Sequence, residues 1–244
     1  SDDLEGNRTH QAYPTEFENS RPVGTQYLDE SHVLIAFPSG KDADGNSTVG
    51  ALVIYDLTDA NLITIDGHIT APVLTTTLLQ GTIKAISHIN NNRIAIIEEV
   101  AADSTRNAVI YSVNGSLLEN PVRFPIADDA SAIEVDASGN SVFVISEDTV
   151  KKYTNGITDS TAVTTSEFSP YVLAISDDTL YSASKDGKLS GFNQTDLVEN
   201  FAFNSGYGQR SRTLDVIGDE AHMSINSIGL VVVDLTKQGD ETGV

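Results

Sequence analysis

The chain of 244 residues carries 35 acidic and 14 basic residues, a formal net charge of −21. The negative electrostatic field of such a chain disfavours nucleic acid and anionic membrane as partners, because binding to either normally depends on clustered Lys and Arg. Cysteine is absent, which excludes disulfides, thiolate metal sites and thiol nucleophiles. No apolar run approaches the roughly 18 residues that a membrane-spanning helix needs, so we expect no transmembrane segment.

Residues 1–10 are polar and predict a flexible acidic segment ahead of a single domain over residues 11–244. They have neither the basic n-region nor the apolar h-region of a signal peptide, and they are typical of a mature N-terminus. They also resemble the short acidic tether that follows the lipid-bearing cysteine of bacterial lipoproteins. Together with the acidic composition, this favours an extracellular, periplasmic or cell-surface location, with a lipid anchor as a hypothesis.

Five segments share a pattern of three short apolar strands separated by tight polar turns. The third strand of each segment has an aromatic residue or valine at one marker position: Tyr55, Tyr111, Tyr153, Phe192 and Val233. Three of the four intervals lie near 40 residues, the spacing of four-stranded propeller blades. The first interval is longer because it contains an extra segment, Thr58 to Gln80.

Four of the five units are followed by a candidate fourth, outer strand: Ala71 to Leu79, Asn120 to Ile126, Thr161 to Glu167 and Val198 to Asn204. The fifth unit is not, but a strand-like segment over residues 11–18 precedes the first unit. We therefore predict an all-β fold, a five-bladed β-propeller of four-stranded antiparallel blades, whose ring is closed by this N-terminal strand. Pro14 is compatible with the outermost position, where a missing N–H is tolerated.

The third strands of two units carry a family resemblance. Gly229–Leu235 and Ala51–Thr58 resemble the LVIVD repeat, which is found in bacterial and archaeal cell-surface β-propellers. In two other units Lys151–Tyr153 and Leu189–Phe192 depart from the apolar run. The resemblance implies a propeller and a surface protein, and it carries no known reaction.

The segment from Asp42 to Thr48 is the strongest candidate for a metal-binding motif in the sequence. Asp42, Asp44 and Asn46 could offer alternate oxygens to Ca²⁺, as in the first half of an EF-hand loop. Gly45 stands one place too early for that loop, however, and Val53 occupies the position of its last ligand. A polar hairpin turn explains the same residues, so we expect no cofactor and keep Ca²⁺ as the alternative.

Acids on inner strands suggest a second alternative, a glycan-active hydrolase. Some propellers of this size are glycosidases whose channel carboxylates come from inner strands, and the sequence offers Asp29, Glu134 and Asp215. No Trp is present to stack on a sugar. The histidines lack metal-binding spacing, although a ring could bring His88 and His222 near each other.

The loop from Gly206 to Arg212 is the best candidate for binding. Tyr207, Arg210 and Arg212 lie together in a strongly acidic chain, and Arg forks bind carboxylate, phosphate or sulfate while Tyr adds stacking. Equivalent crossings between blades are expected to bring further residues to the same rim: Lys84, Asp128, Asp129 and Tyr171. The alternative is that the two arginines only neutralise neighbouring acids.

These patterns favour a non-catalytic extracellular recognition or scaffold propeller over an enzyme. Its partner would be a protein, a glycan or a small anionic ligand at the propeller face. Two alternatives remain: the hydrolase, and a subunit of an extracellular filament. In the filament, the N-terminal strand would complete a neighbour's blade and so mediate self-assembly.

Overall fold

The computed structural model describes residue 17 and residues 20–42, 44–58, 63–65, 68–100, 102–155, 157–161 and 168–237. The described residues form 21 β-strands. Short runs rich in β-branched and aromatic residues, with Asn, Asp or Gly in the turns, explain why strands form here. Within the described residues, no helix is long and apolar enough to cross a membrane.

Blade 1 is a four-stranded antiparallel sheet in the order β1-β2-β3-β6. A small hairpin, β4-β5, is inserted before its outer strand. This hairpin accounts for the long first interval of the repeat. The strands are β1 (Gly24–Tyr27), β2 (His32–Phe37), β3 (Ala51–Asp56), β4 (Ile63–Ile65), β5 (His68–Thr70) and β6 (Val73–Leu78).

Blades 2, 3 and 4 are four-stranded antiparallel meanders, and blade 5 has three strands among the described residues. Blade 2 contains β7 (Thr82–Ile86), β8 (Arg93–Glu99), β9 (Arg106–Asn114) and β10 (Leu117–Pro125). Blade 3 contains β11 (Ala132–Val135), β12 (Ser141–Ser146), β13 (Thr149–Thr154) and β14 (Ile157–Thr161). Blade 4 contains β15 (Pro170–Ser176), β16 (Thr179–Ser184), β17 (Lys188–Asn193) and β18 (Glu199–Asn204). Blade 5 contains β19 (Ser211–Ile217), β20 (Glu220–Ile225) and β21 (Gly229–Asp234).

The outer strand of blade 3 is the main error in the predicted boundaries. The structure places it at Ile157–Thr161 rather than Thr161 to Glu167, and residues 162–167 lie outside the described residues. Thr154 pairs directly with Ile157, so a two-residue turn follows β13 at once. Asn155 adopts a φ of 50° in that turn, a left-handed conformation that Asn tolerates and that such hairpins require.

The five sheets form the predicted five-bladed propeller, in which consecutive blades pack face to face. The first strands of blades 2 to 5 contact one another in sequence: β7 with β11, β11 with β15, and β15 with β19. A buried apolar cluster fills each of the four junctions from blade 1 to blade 5. This stacking positions the ends of the first strands, and the loops that lead into them, around one rim.

The junction between blade 5 and blade 1 differs from the other four. Blade 1 buries an apolar cluster on its side away from blade 2, and Phe17 belongs to that cluster. On blade 5, by contrast, Leu230 is 65% exposed and Val232 is 41% exposed. Apart from Phe17, the predicted closing strand over residues 11–18 lies outside the described residues, as do residues 1–10. Closure by that strand therefore stays a prediction.

Candidate functional site

The structure brings two of the predicted rim residues, Arg210 and Tyr171, into direct contact. Tyr171 lies at the start of β15, and Arg210 immediately precedes β19. The ζ carbon of Arg210 lies 4.4 Å from the centroid of the Tyr171 ring, which is the geometry of a cation–π interaction. The carbonyl of Arg210 also accepts a hydrogen bond of 2.9 Å from the N–H of Asn226. The backbone of Arg210 is thus fixed on blade 5, while its guanidinium contacts blade 4.

The charges of Arg210 and Arg212 are not neutralised within the described part of the chain. Both residues are exposed, and no carboxylate of the described residues forms an ion pair with either guanidinium. Other basic side chains behave differently; the Arg123 guanidinium, for example, lies 2.7 Å from Glu98. The described residues therefore do not show the alternative, in which these arginines form ion pairs with neighbouring acids.

Two other predicted rim residues lie in different surroundings. Tyr207 is 40% exposed and stands between Gly206 and Gly208, both at positive φ, a conformation that glycine adopts at little cost. Lys84 lies on β7, and its ammonium is 2.8 Å from Glu99. Because that pair already neutralises its charge, Lys84 is a weaker candidate for binding an anion.

Sequence reasoning missed one basic neighbour of the rim. The N–H of Lys185 donates a 2.9 Å hydrogen bond to the carbonyl of Ser169, two residues before Tyr171. Its ammonium lies 2.7 Å from Asp148, so that carboxylate already neutralises its positive charge. Lys185 lies in the turn between β16 and β17, and the pairing of β15 with β16, in which Pro170 is opposite Ser184, places it beside Ser169.

A second polar cluster lies on the first strands, where Glu134 of β11 meets His88, just after β7. Oε1 of Glu134 is 2.6 Å from Nδ1 of His88, and the N–H of His88 donates to the same carboxylate at 3.2 and 3.3 Å. The Glu134 side chain is 3% exposed, while that of His88 is 43% exposed. The carboxylate thus fixes the imidazole with Nε2 away from the contact.

Asp215 of β19 is the acid near this pair. The hydrogen bond with Glu134 is the main cause that raises the pKa of His88, and the negative charge of Asp215 adds to it. Burial is the main cause that raises the pKa of Glu134, and the hydrogen bond from His88 opposes it. His222 instead lies 3.3 Å from Glu220, so it is Glu134 and not a second histidine that meets His88.

The predicted trio of channel acids is wrong in one member. Asp29 lies in the turn between β1 and β2, not on an inner strand. Its carboxylate accepts a hydrogen bond from the N–H of Ser31 and meets Nδ1 of His32 at 2.8 Å. The error arose because β1 ends at Tyr27, earlier than expected. Since Glu134 is bound to His88, the arrangement does not present a free pair of channel carboxylates.

The His88–Glu134 pair predicts a pH dependence of stability. A histidine whose folded-state pKa is raised stabilises the fold below its ordinary pKa of 6.5, and that contribution is lost as the pH rises through the folded-state pKa. We expect the urea midpoint of the wild type to fall as the pH rises above 6.5. The His88→Gln variant should have a flatter profile, measured by urea unfolding between pH 6 and 9.

The His222→Gln variant is the matched control for that profile. His222 also lies beside a glutamate, but Glu220 is 59% exposed at its side chain, whereas Glu134 is buried. The control should keep the wild-type slope. Parallel profiles for the wild type and His88→Gln would show that this pair does not govern the dependence.

The acidic loop of blade 1 folds as a hydrogen-bonded turn. Oδ1 of Asp42 accepts hydrogen bonds from the N–H groups of Asp44 and Asn46, at 3.0 and 2.8 Å. The side-chain amide of Asn46 donates to Oδ2 and is the main cause that lowers the pKa of Asp42. Among the described residues, no group of three or more His, Asp or Glu side chains is arranged to hold a metal ion. Ca²⁺ binding by Asp42, Asp44 and Asn46 stays a prediction without structural support.

Comparisons with known proteins support the fold and go no further. No protein-family model and no curated protein matches the chain, so the resemblance to LVIVD repeats has no independent confirmation. The chain is similar to the crystal structure of a functionally unknown protein from Desulfotomaculum acetoxidans, with 14% sequence identity and a TM-score of 0.54. The match covers 84% of this chain and 63% of that one. The chain therefore spans less than two thirds of that neighbour's length.

Proposed function

We propose that the chain is a recognition propeller that binds a carboxylate, phosphate or sulfate group at the rim between blades 4 and 5. The single observation that carries this proposal is the Arg210 guanidinium, stacked on Tyr171 and without a carboxylate partner among the described residues. Arg212 and Tyr207 flank the same position in the chain. The proposal assigns no reaction to the protein.

The geometry of Arg210 suits a ligand with a planar or tetrahedral anionic group. Stacking on an aromatic ring fixes the plane of a guanidinium, while its N–H groups at the edge remain able to form paired hydrogen bonds. Fixing that plane before binding lowers the conformational entropy lost when the ligand arrives. Tyr207, which is partly exposed on its glycine-flanked loop, would add a surface for stacking.

Because the net charge of the chain is −21, the exposed pair Arg210 and Arg212 does not attract anions in general, and binding there would be selective. The field of the whole chain repels polyanions at long range. Affinity must therefore come from short-range contacts at the two arginines. This favours a small anionic ligand or a single anionic group on a glycan or protein over nucleic acid.

We further propose that the protein works outside the cytoplasm, at a cell surface or in the periplasm. The support is compositional: 35 acidic residues against 14 basic ones give a heavily charged, well-hydrated surface. Recovery of the native protein from a surface or periplasmic fraction is the expected result. Recovery from the cytosolic fraction alone would contradict this location.

Binding at the rim should be lost in an arginine variant. We expect Arg210→Ala to weaken the binding of sulfate, phosphate or citrate by about tenfold or more, since a charge-assisted hydrogen bond contributes roughly 1.5–3 kcal/mol. Tyr171→Leu should weaken binding by a smaller factor, because it removes the ring that orients the guanidinium. The measurement is calorimetric titration of each anion at constant ionic strength.

Lys41→Ala provides the matched control, since Lys41 is an exposed cation on blade 1. Its affinity for the same anions should equal that of the wild type. Equal affinity in the wild type and in Arg210→Ala, or no binding of any of the three anions, would refute the proposed site.

A further inference from the structure

The first strands of blades 2, 4 and 5 share an irregularity near the ends by which the chain enters each blade. In blade 2 the pairing shifts between Ile83 and Ala85, so Lys84 has no partner of its own in β8. The partner strands skip Tyr171 of β15 and Arg212 of β19 in the same way. Each shift is a β-bulge, in which one strand carries one residue more than its partner. The first strands of blades 1 and 3 pair without such a shift.

The residue at a bulge belongs to neither face of its blade. Side chains of a regular strand alternate between the two faces, and an extra residue falls outside that alternation. In blade 2, Ile83 belongs to the junction with blade 1 and Ala85 packs against the junction with blade 3, while Lys84 between them is exposed. In blade 5, Arg212 is exposed next to the buried Ser211. The bulges therefore take these side chains out of the packed junctions and leave them at the rim.

Arg212 and Lys84 occupy equivalent bulges but differ in their electrostatic partners. The ammonium of Lys84 lies 2.8 Å from Glu99, whereas no carboxylate of the described residues forms an ion pair with Arg212. Arg210, two residues earlier, also lacks such a partner, and its guanidinium lies over Tyr171, the bulge residue of blade 4. Because β15 and β19 are adjacent, the rim carries two cations that are not neutralised and one aromatic ring at neighbouring bulges.

We propose that this site selects a doubly charged anion, such as sulfate or a dicarboxylate, over singly charged anions, with Arg212 as the specificity-determining residue. The inference rests on the proposed binding of an anion at Arg210. Two like charges close in sequence repel each other, and a ligand with two negative charges offsets that repulsion. Such a ligand also accepts charge-assisted hydrogen bonds from both guanidinium groups. A singly charged anion satisfies Arg210 alone, which the Tyr171 ring already holds in place.

Acetate and succinate, which present one and two carboxylates, measure this preference. Dissociation constants come from NMR titration at constant ionic strength. We expect the wild type to bind succinate about tenfold or more tightly than acetate, since a second charge-assisted contact forms. Arg212→Gln should bind acetate like the wild type and lose most of the preference for succinate. Arg212→Lys should keep part of the preference, because it keeps the charge.

An exchange of two neighbouring residues separates the position of the charge from its presence. The Arg212→Thr/Thr213→Arg variant keeps the composition and net charge, but it moves the guanidinium from the bulge to a residue that pairs with Ser224. Thr213 is exposed, so burial does not oppose an arginine there. We expect the preference for succinate to fall as far as in Arg212→Gln. Urea unfolding checks that each variant is folded, and Arg212→Gln alone decides the proposal if the exchange unfolds the chain.

The outcomes separate this inference from the anion site itself. A preference for succinate that survives in Arg212→Gln, or in the folded exchange variant, would overturn the inference while anion binding at Arg210 stands. A wild type that binds neither acetate nor succinate would refute the site as well. The matched control, Lys41→Ala, removes an exposed cation on blade 1 and should leave both affinities and their ratio at the wild-type values.

Discussion

The Arg123→Leu variant is expected to lose roughly 3 kcal/mol of unfolding free energy, because breaking a buried ion pair leaves an uncompensated charge. The Glu98 side chain is fully buried, and its Oε2 lies 2.9 Å from Nε and 2.7 Å from Nη2 of Arg123. Its Oε1 accepts hydrogen bonds of 2.5 and 3.0 Å from the N–H groups of Gln80 and Gly81. The Glu98 carboxylate thus links the crossing from blade 1, at Gln80 and Gly81, to the outer strand β10 of blade 2, which carries Arg123.

A second substitution separates the buried charge from lost packing. The Glu98→Gln/Arg123→Leu double variant removes the charge but keeps an oxygen that accepts from Gln80 and Gly81. We expect it to recover about half or more of the loss, since an uncharged group has a smaller desolvation penalty. Chemical denaturation gives the unfolding free energies. A loss below about 0.5 kcal/mol for Arg123→Leu, the usual range for surface changes, would show that the pair has no structural role.

Gly81→Ala is expected to destabilise the same crossing by roughly 2–3 kcal/mol through overpacking. A Cβ at Gly81 would lie 2.7 Å from the carbonyl carbon of Glu99 and closer still to its oxygen. Both are backbone atoms of β8, so no side-chain rotation can relieve the clash. The carbonyl of Gly81 also accepts a 2.7 Å hydrogen bond from the N–H of Gly50, which limits backbone adjustment.

Gly115→Ala is the matched control, because it changes a glycine at an open turn. A Cβ at Gly115 meets no heavy atom within 4 Å, and only its φ of 56° opposes the substitution. That conformation costs an alanine about 1 kcal/mol. Thermal or urea unfolding should therefore rank Gly81→Ala as clearly less stable than Gly115→Ala. The reverse order would contradict the close approach of the two backbones.

The repeat was readable from the sequence because alternation and turn chemistry are local properties. The five marker residues, from Tyr55 to Val233, are all buried, at 7% exposure or less. The predicted strand boundaries were wrong where the local sequence pattern was weak. The outer strand at Ile157–Thr161 is short and polar, and it follows its neighbour after only two residues.

The rim was predictable because crossings between blades reach the same end of the propeller. That reasoning placed Tyr171 and Arg210 together although they are far apart in sequence. The His88–Glu134 pair was missed because its members are separated by 46 positions, and no local pattern links a histidine after one first strand to a glutamate in the next. Asp29 was misplaced because strand ends are set by turn hydrogen bonds, here from Ser31.

The most direct test of the proposed anion site observes Arg210 itself. The Nε–H resonance of Arg210, assigned through Arg210→Lys, is followed by NMR while sodium sulfate is added, with sodium chloride at equal ionic strength as reference. We expect a saturable shift with sulfate that is absent with chloride and absent at Arg123, whose guanidinium is held by Glu98. A shift of Arg210 that is no larger than that of Arg123, or that tracks ionic strength alone, would contradict anion recognition at this rim.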